Sequence, residues 1–280
     1  MKYLKIFIAF VFVILISSCS NNDNPVVDTT PPAAPTNVQT VVRDNEVDIL
    51  WDYNKESDVA GYDVYYATSY QGQYNLLGST EQNFYADTDA KNGELWYYAV
   101  VAYDFSGNES ELSSDEVYGA PRPEGMNQSV FDFRNFPNTS GYDFSEFAVV
   151  PYDINDNQFS ADFFFENDSG SYFLNVWTDT EIQDMGATSD IYDIPYAPIT
   201  GWVPLIPGDN VKYVTAEEGH TYVIFTWDNH FAKIRIKTMT TERAVFDWTY
   251  QLIEGEQQLK PTIRNGRVGI SKIVLKNSGK

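Results

Sequence analysis

The sequence predicts an all-β protein built as two β-sandwiches in a row. Three observations lead there. Aromatic residues make up 16% of the 280 residues, with 20 Tyr and 18 Phe, and Tyr, Phe and Val suit a pleated, half-buried surface. Short apolar–polar alternations recur along the chain, broken by turn signals such as Asn92-Gly93 and Ser106-Gly107-Asn108. Beyond the first 19 residues no stretch keeps a helical period or is apolar for the ~20 residues a bilayer requires.

The chain opens with Lys2 and Lys5, an aliphatic and aromatic run from Ile6 to Ile16, and then Ser17-Ser18-Cys19. The run is short for a membrane span and has the length of a signal-peptide core. Cys19 is the only cysteine, so an internal disulfide or a cysteine-based zinc site is ruled out. Small residues before a cysteine at the end of such a run resemble the lipobox of bacterial lipoproteins. That resemblance implies a signal peptide over 1–19, lipidation (palmitate among the acyl groups) at Cys19, and a membrane partner reached through the lipid anchor. Ser20, in place of an aspartate, is compatible with outer-membrane delivery. Ser20 to Asp28 is polar and predicts a flexible tether, stiffened by Thr29 to Pro35 as polyproline II.

Residues 36–120 hold seven or so short strand signals over about 90 residues, the density of a β-sandwich. Val47 to Trp51, Gly61 to Tyr66 and Leu95 to Tyr103 are the clearest. Asp28-Thr29-Thr30-Pro31-Pro32 with Pro35 and Val38, Trp51, Tyr62-Asp63-Val64-Tyr65, and Trp96 to Asp104 followed by Ser106-Gly107-Asn108-Glu109-Ser110 resemble a bacterial fibronectin type III domain. The resemblance implies a spacer or docking module. It also implies a corner tyrosine where the count reaches Trp96, so the role falls to Trp96, Tyr97 or Tyr98. No Arg-Gly-Asp triplet occurs near the FG loop.

Gly119 to Gly125 reads as a linker, centred on 121–125, before a second all-β domain over 126–262. Strand signals there are Val130 to Phe133, Phe159 to Phe165, Tyr172 to Trp177 and Val245 to Tyr250. From Asp184 to Asp209, prolines and glycines predict a long ordered loop, and long loops often carry function. His220–Trp227 and His230–Lys237 read as a hairpin around Asp228-Asn229, taken as a two-residue turn. That register sets Trp227 opposite His230, Phe225 opposite Ala232 and Val223 opposite Ile234. It puts Lys233, Arg235 and Lys237 together on the other face, either as a site for an anionic ligand or as a solvated edge that resists aggregation. Residues 263–280 predict a basic tail or one more strand.

The formal charge is −22, and the cations Lys260, Arg264, Arg267, Lys272, Lys276 and Lys280 follow the last acid, Glu256, so the body is more acidic still. Such a surface repels nucleic acid and anionic headgroups and attracts cations. Gly219 to Val223 and Asn229 to Ile236 resemble the C-terminal part of HmuY-type lipoproteins of Bacteroidota, which implies haem binding. Of the axial ligands haem would need, only His220 and His230 are histidines. They stand about seven residue steps apart, roughly 23 Å along a strand, so both cannot hold one iron, which leaves a single histidine or one histidine with Met185 or Met239.

Calcium is a further expectation at Asp153, Asn155 and Asn157, whose oxygens alternate, or at Asp179, Glu181 and Asp184. Gln158 and Phe164 stand where an EF-hand needs glycine and glutamate, so any site there is not of that kind. Glycan binding has a physical basis in Tyr192, Tyr196 and Trp202, with Asp190 and Asp193 beside them. No Gly-x-Ser-x-Gly or His-Glu-x-x-His occurs, and scattered carboxylate pairs in an acidic chain mark no active site. The expectation is therefore a cell-envelope lipoprotein, lipid-anchored at the outer membrane on its periplasmic or outer face. It is not expected to be an enzyme or to need a cofactor, and its ligand is a glycan or a protein partner. Haem capture and a polysaccharide-active domain are the alternatives.

Overall fold

The computed structural model describes residues 27–152 and 161–259. Cys19, the Asp153–Asn157 run and the basic tail lie outside the described residues, as does the first part of the Phe159 to Phe165 signal. Seven strands follow the Pro-rich segment: β1 (Gln39–Arg43), β2 (Glu46–Leu50), β3 (Val59–Ala67), β4 (Asn75–Thr80), β5 (Phe84–Asp87), β6 (Trp96–Asp104) and β7 (Val117–Gly119). They form two sheets, β1-β2-β5 and β4-β3-β6-β7. Val47 and Ile49 alternate into the core, and Asp48 between them is buried only because the Arg43 Nε donates to it at 2.9 Å. Trp51 packs edge-on against Tyr62, centroids 5.2 Å apart.

β6 is apolar on both faces for a reason. Tyr98, Val100 and Ala102 face the sandwich core, while Ala99 and Val101 meet Tyr65 and Tyr74 on the other side. The corner resolves to Tyr98. Its hydroxyl donates to the Asp87 carboxylate at 2.9 Å, tying β6 to the end of β5 across the core. Burial, then the Asp87 charge, pushes the Tyr98 hydroxyl far up, so it stays a donor at any physiological pH. Trp96 instead donates from its indole nitrogen to Glu94.

The second body has ten strands among the described residues. They are β8 (Glu124–Phe131), β9 (Gly141–Asp143), β10 (Ala148–Val150), β11 (Phe163–Asp168), β12 (Ser171–Trp177), β13 (Glu181–Ala187), β14 (Val211–Thr215), β15 (His220–Phe225), β16 (Phe231–Met239) and β17 (Arg243–Tyr250). The sheet β10-β9-β11-β12-β14 faces the sheet β13-β15-β16-β17-β8. An aromatic core fills the gap: the Tyr142 ring lies 5.3 Å from Phe144 and 5.5 Å from both Phe246 and Trp248. The long loop predicted from Asp184 begins later than expected, because Glu181–Ala187 pairs with β15 as an edge strand, with a register shift before Ala187. Gly186 takes a positive φ of 82° there.

The β15–β16 turn corrects the predicted register. It is one residue longer than expected: the Asn229 amide donates to the Thr226 carbonyl at 3.0 Å, and Thr226 pairs with His230. Only Asn229 needs the left-handed region, at φ 66°. This is the three-residue loop with a bulge, the next commonest hairpin connection after the two-residue one. Phe225 therefore pairs with Phe231, Val223 with Lys233 and Tyr222 with Ile234. A shift of one flips every side chain of a strand. Tyr222 and Ile224 turn inward with Ala232 and Ile234, while Val223 and Phe225 join Lys233 on the outer face.

Residues 117–123 are buried. Pro121 and Pro123 have no amide hydrogen to satisfy there, and their carbonyls accept from Gly93 at 2.9 Å and Tyr250 at 3.0 Å. The Tyr98–Asp87 contact generates a test. Tyr98→Phe removes the only side-chain donor bonded to a buried carboxylate, and should cost about 1–3 kcal/mol in urea unfolding. Tyr97→Phe, on the opposite side of β6, should cost clearly less.

Candidate functional site

The outer face of the second sheet is a covered surface. β16 lies between β15 and β17 and is no edge. The Lys233 side chain is fully buried, and its ammonium donates to the carbonyls of Ile194 and Leu259 at 3.0 Å each. Arg235 donates from Nη2 to the Thr188 carbonyl at 2.8 Å and from Nε to the Thr188 hydroxyl at 3.1 Å. Neither expectation holds for Lys233, which is neither open to an anion nor solvated, because the 188–210 loop and residues 251–259 cross over it, while Lys237 at the other end of the row is exposed. These two segments bond to each other through the Ala197 amide to Gln257 and the Leu259 amide to Pro195, each 2.8 Å.

The aromatic residues predicted for a glycan are part of this cover. Trp202 stacks on Phe225 and Phe231, at 6.4 Å and 6.5 Å. Tyr196 bridges to Gln258. The Tyr192 hydroxyl donates to Glu124 at 2.7 Å, with the Arg43 guanidinium of the first sandwich 5.8 Å from its ring centre. All three rings are half-buried and point to different partners. The first sandwich adds Arg122, fully buried, which donates to the Leu259 carbonyl, and Tyr118, whose carbonyl accepts from Gln258 at 3.3 Å. Burial pulls the Arg122 guanidinium down to about 10, still charged at neutral pH.

The histidines stand at the two ends of β15. His220 Nδ1 lies 3.0 Å from Asp184, and His230 Nδ1 lies 3.3 Å from Asp228. Met185 packs in the small cluster under Trp202 and Met239 against the main core. The Asp179, Glu181 and Asp184 group is split, since Glu181 pairs with Lys212 at 2.8 Å and Asp184 with His220. Carboxylates that do converge are Asp28, Asp58 and Asp104 of the first sandwich, with oxygens within 4.8 Å of one another. That spacing could hold one cation. Sequence reasoning missed it because the three sit 76 positions apart from first to last; the signal was an aspartate ahead of each of the Thr-Thr-Pro-Pro and Phe-Ser-Gly-Asn motifs.

A different set of groups gathers at one end of the second sandwich. The β9–β10 turn, the start of β11, the β12–β13 turn, the β15–β16 tip and the end of β17 all lie there, as the pairings Tyr142–Phe163, Phe225–Phe231 and Ala232–Tyr250 require. Tyr250 knits the two sheets. Its ring stacks on Phe144 at 5.7 Å, and its hydroxyl bonds Asp228 at 3.3 Å. Asp228 is also held by the Thr226 hydroxyl. Asp143 accepts the Ser145 amide at 2.9 Å and fixes the β9–β10 turn. At the end of that turn Phe147 takes φ 53°, a conformation bulky residues avoid, and its ring stacks on Trp248 at 5.7 Å with 47% of the residue exposed. At the β15–β16 tip Trp227 is 61% exposed. Beside it the Asn229 side-chain Nδ2 donates to Glu254 at 3.0 Å, and the Gly255 amide to the Asn229 backbone carbonyl at 2.8 Å. Both rings are open to solvent while the backbone under them is tied down.

Asp162 lies beneath this end, 7% exposed, accepting one hydrogen bond from the Phe144 amide at 2.8 Å. Burial pushes its carboxyl up to about 7, the Phe144 bond opposes this, and the charges of Asp143, Asp228 and Asp179 add to the rise.

No family model matches the chain. A 95-residue stretch is 35% identical to an amylopullulanase from Thermoanaerobacterium saccharolyticum, covering 32% of this chain and 7% of that protein. The chain thus spans a small fraction of the curated relatives it matches. Among solved structures, an Fn3-like protein from Clostridium thermocellum is 26% identical over 34% of this chain and all of that one, with a TM-score of 0.30. A DUF4466 family protein from Parabacteroides merdae is 11% identical over 81% of this chain and 96% of that one, with a TM-score of 0.34. In the first sandwich the fourth strand pairs with the third rather than with the fifth. The first sandwich is of the fibronectin type III kind.

Two tests follow. An acid whose carboxyl is raised on folding stabilises the fold most where both states are protonated, and that contribution fades as pH climbs from about 4 to about 7. Asp162→Asn keeps an acceptor for the Phe144 amide and cannot ionise. It should raise stability at pH 8 by up to about 4 kcal/mol and leave it little changed at pH 4; parallel urea titrations at pH 4, 6 and 8 read this directly. Lys233→Met removes the donor of the Ile194 carbonyl, while the Leu259 carbonyl keeps Arg122, and should cost about 1–3 kcal/mol at neutral pH in the same assay.

Proposed function

We propose that this chain is a cell-envelope protein that binds carbohydrate without cleaving it. Lipid on Cys19 anchors it, and the fibronectin-type sandwich holds the second sandwich away from the membrane. The observation that carries the reading is the end of the second sandwich, where Trp227 and Phe147 stand open to solvent on tied-down turns among carboxylate and amide groups. Rings exposed this way cost solvation unless something stacks on them. The matching stretch in amylopullulanases supports the same reading, because it covers a small part of enzymes that act on carbohydrate and is the length of one accessory domain. A dually acylated cysteine gives stable anchoring where one chain is marginal. The anchored face, periplasmic or outer, follows from sorting of the lipoprotein.

The anchoring half is tested by metabolic labelling with an alkyne fatty acid. Wild type should label and float with outer-membrane vesicles, and Cys19→Ala should do neither. Equal labelling of both overturns the anchor. The non-catalytic half is tested by incubating the protein with the polysaccharides it retains: products should be absent over many hours, and turnover would overturn it.

A further inference from the structure

We infer that the end of the second sandwich is a binding site for a neutral polysaccharide, with Trp227 and Phe147 as stacking platforms and the Asn229–Glu254 pair as the hydroxyl-reading group. This rests on the carbohydrate-binding reading above and names its site and ligand class. Four observations carry it.

Trp227 stacks on no ring among the described residues and is the most exposed tryptophan there. Its turn is nonetheless tied down: the Asn229 and His230 backbone amides donate to Thr226, the Thr226 hydroxyl donates to Asp228, and the Gly255 amide donates to the Asn229 carbonyl. A rigid tip with a loose-fitting ring is the wrong way to bury a tryptophan and the right way to present one. Second, Phe147 sits in a backbone conformation a phenylalanine avoids, and its stacking on Trp248 presents one ring face outward.

Third, the two platforms belong to one surface. Trp227 precedes Asp228, Asp228 bonds Tyr250, Tyr250 stacks on Phe144, and Phe144 begins the turn that ends at Phe147. Two rings spaced along such a ridge suit a chain of pyranoses, whose C–H faces stack on aromatics, more than a single sugar.

Fourth, the polar groups choose the charge of the ligand. Asp143, Asp179, Asp228 and Glu254 offer acceptors for hydroxyl donors, and the Asn229 side chain offers both. Lys212, the cation built into this end, is 6% exposed and held by Glu181 and the Thr180 carbonyl. Among the described residues a uronate or sulfate would meet carboxylates here, and like charges brought together at an interface cost several kilocalories. Neutral hydroxyls meet only partners.

The test uses the full chain on an array of neutral glucans, mannans, xylans and galactans beside pectin, alginate and heparin, followed by titration calorimetry on the best neutral binder. The inference expects at least one neutral polysaccharide to bind and all anionic ones to stay blank. Trp227→Ala should weaken binding tenfold or more, Phe147→Ala several-fold, and Trp227→Phe should stay within about threefold of wild type. Thermal unfolding of Trp227→Ala should match wild type, since the ring touches no core. Binding that survives both alanine variants, or selective retention of an anionic polysaccharide, overturns this site and leaves the broader carbohydrate reading standing. No retention of any polysaccharide overturns both, and a protein captured at Trp227 in place of a glycan does so as well.

Discussion

The second sheet of the second sandwich is buried on both faces, and the rest of the architecture answers to that constraint. A sheet in a simple sandwich shows one face to water, and its strands alternate accordingly. Here β16 has Ala232, Ile234 and Ile236 on the core side and Phe231 and Lys233 on the other, all under 9% exposed. Something must cover the outer face, and that cover must satisfy a buried ammonium. The chain supplies it from two places, the 188–210 loop and the 251–259 segment. Lys233 then bonds one carbonyl from each, at Ile194 and Leu259. A buried amine with two carbonyls fixes position better than an apolar residue would, because only one arrangement of the two segments feeds it.

The same cover builds the joint between the sandwiches. Leu259 passes its carbonyl to both Lys233 and Arg122, so the group that satisfies the sheet also satisfies the buried arginine of the connecting segment. Tyr192, in the loop, then reaches Glu124 with its hydroxyl and takes Arg43 over its ring. Residues that looked like a ligand surface are spent on covering the sheet and, at Tyr192, on meeting the first sandwich. The loops at Phe147 and Trp227 lie at the same end of the second sandwich as this joint, since β8 starts there with Glu124 opposite Thr249, and both rings stay exposed beside it.

What the sequence made legible follows from which forces are local. The first sandwich was readable because its signals are short-range: alternation at Val47 and Ile49, a buried tryptophan at Trp51, turn residues at Asn92-Gly93. The strands of the second body were readable for the same reason. The register of β15–β16 was not, because Asp228-Asn229 is compatible with both a two-residue and a three-residue turn, and one residue decides which face is inward. Once the turn is misread, Val223 and Phe225 are assigned to the wrong core and the outer face looks empty. The covering role of Tyr192, Tyr196 and Trp202 was then invisible, since it depends on a sheet face that the misread register had left polar. The exposed Trp227 did leave a mark: a tryptophan placed against Asp-Asn in a turn has nowhere inside to go.

Charge ties the fold to the proposed function. The sequence is strongly acidic, and its few buried cations are all committed: Lys233 to carbonyls, Lys212 to Glu181, Arg122 to Leu259. None of them can tune a ligand site. Carboxylates, by contrast, crowd the open end, and one of them, Asp162, sits behind it and accepts from the Phe144 amide. A surface of that kind discriminates by repulsion as much as by contact. It admits polyhydroxylated, uncharged chains whose hydroxyls donate to carboxylates, and turns away the acidic polymers common at bacterial surfaces. In the proposed reading this also keeps the anchored protein off its own membrane, because anionic headgroups and an acidic body repel each other over a Debye length of about 8 Å at physiological salt. Choice of ligand at the open end and distance from the bilayer are then two consequences of the same excess of aspartate and glutamate.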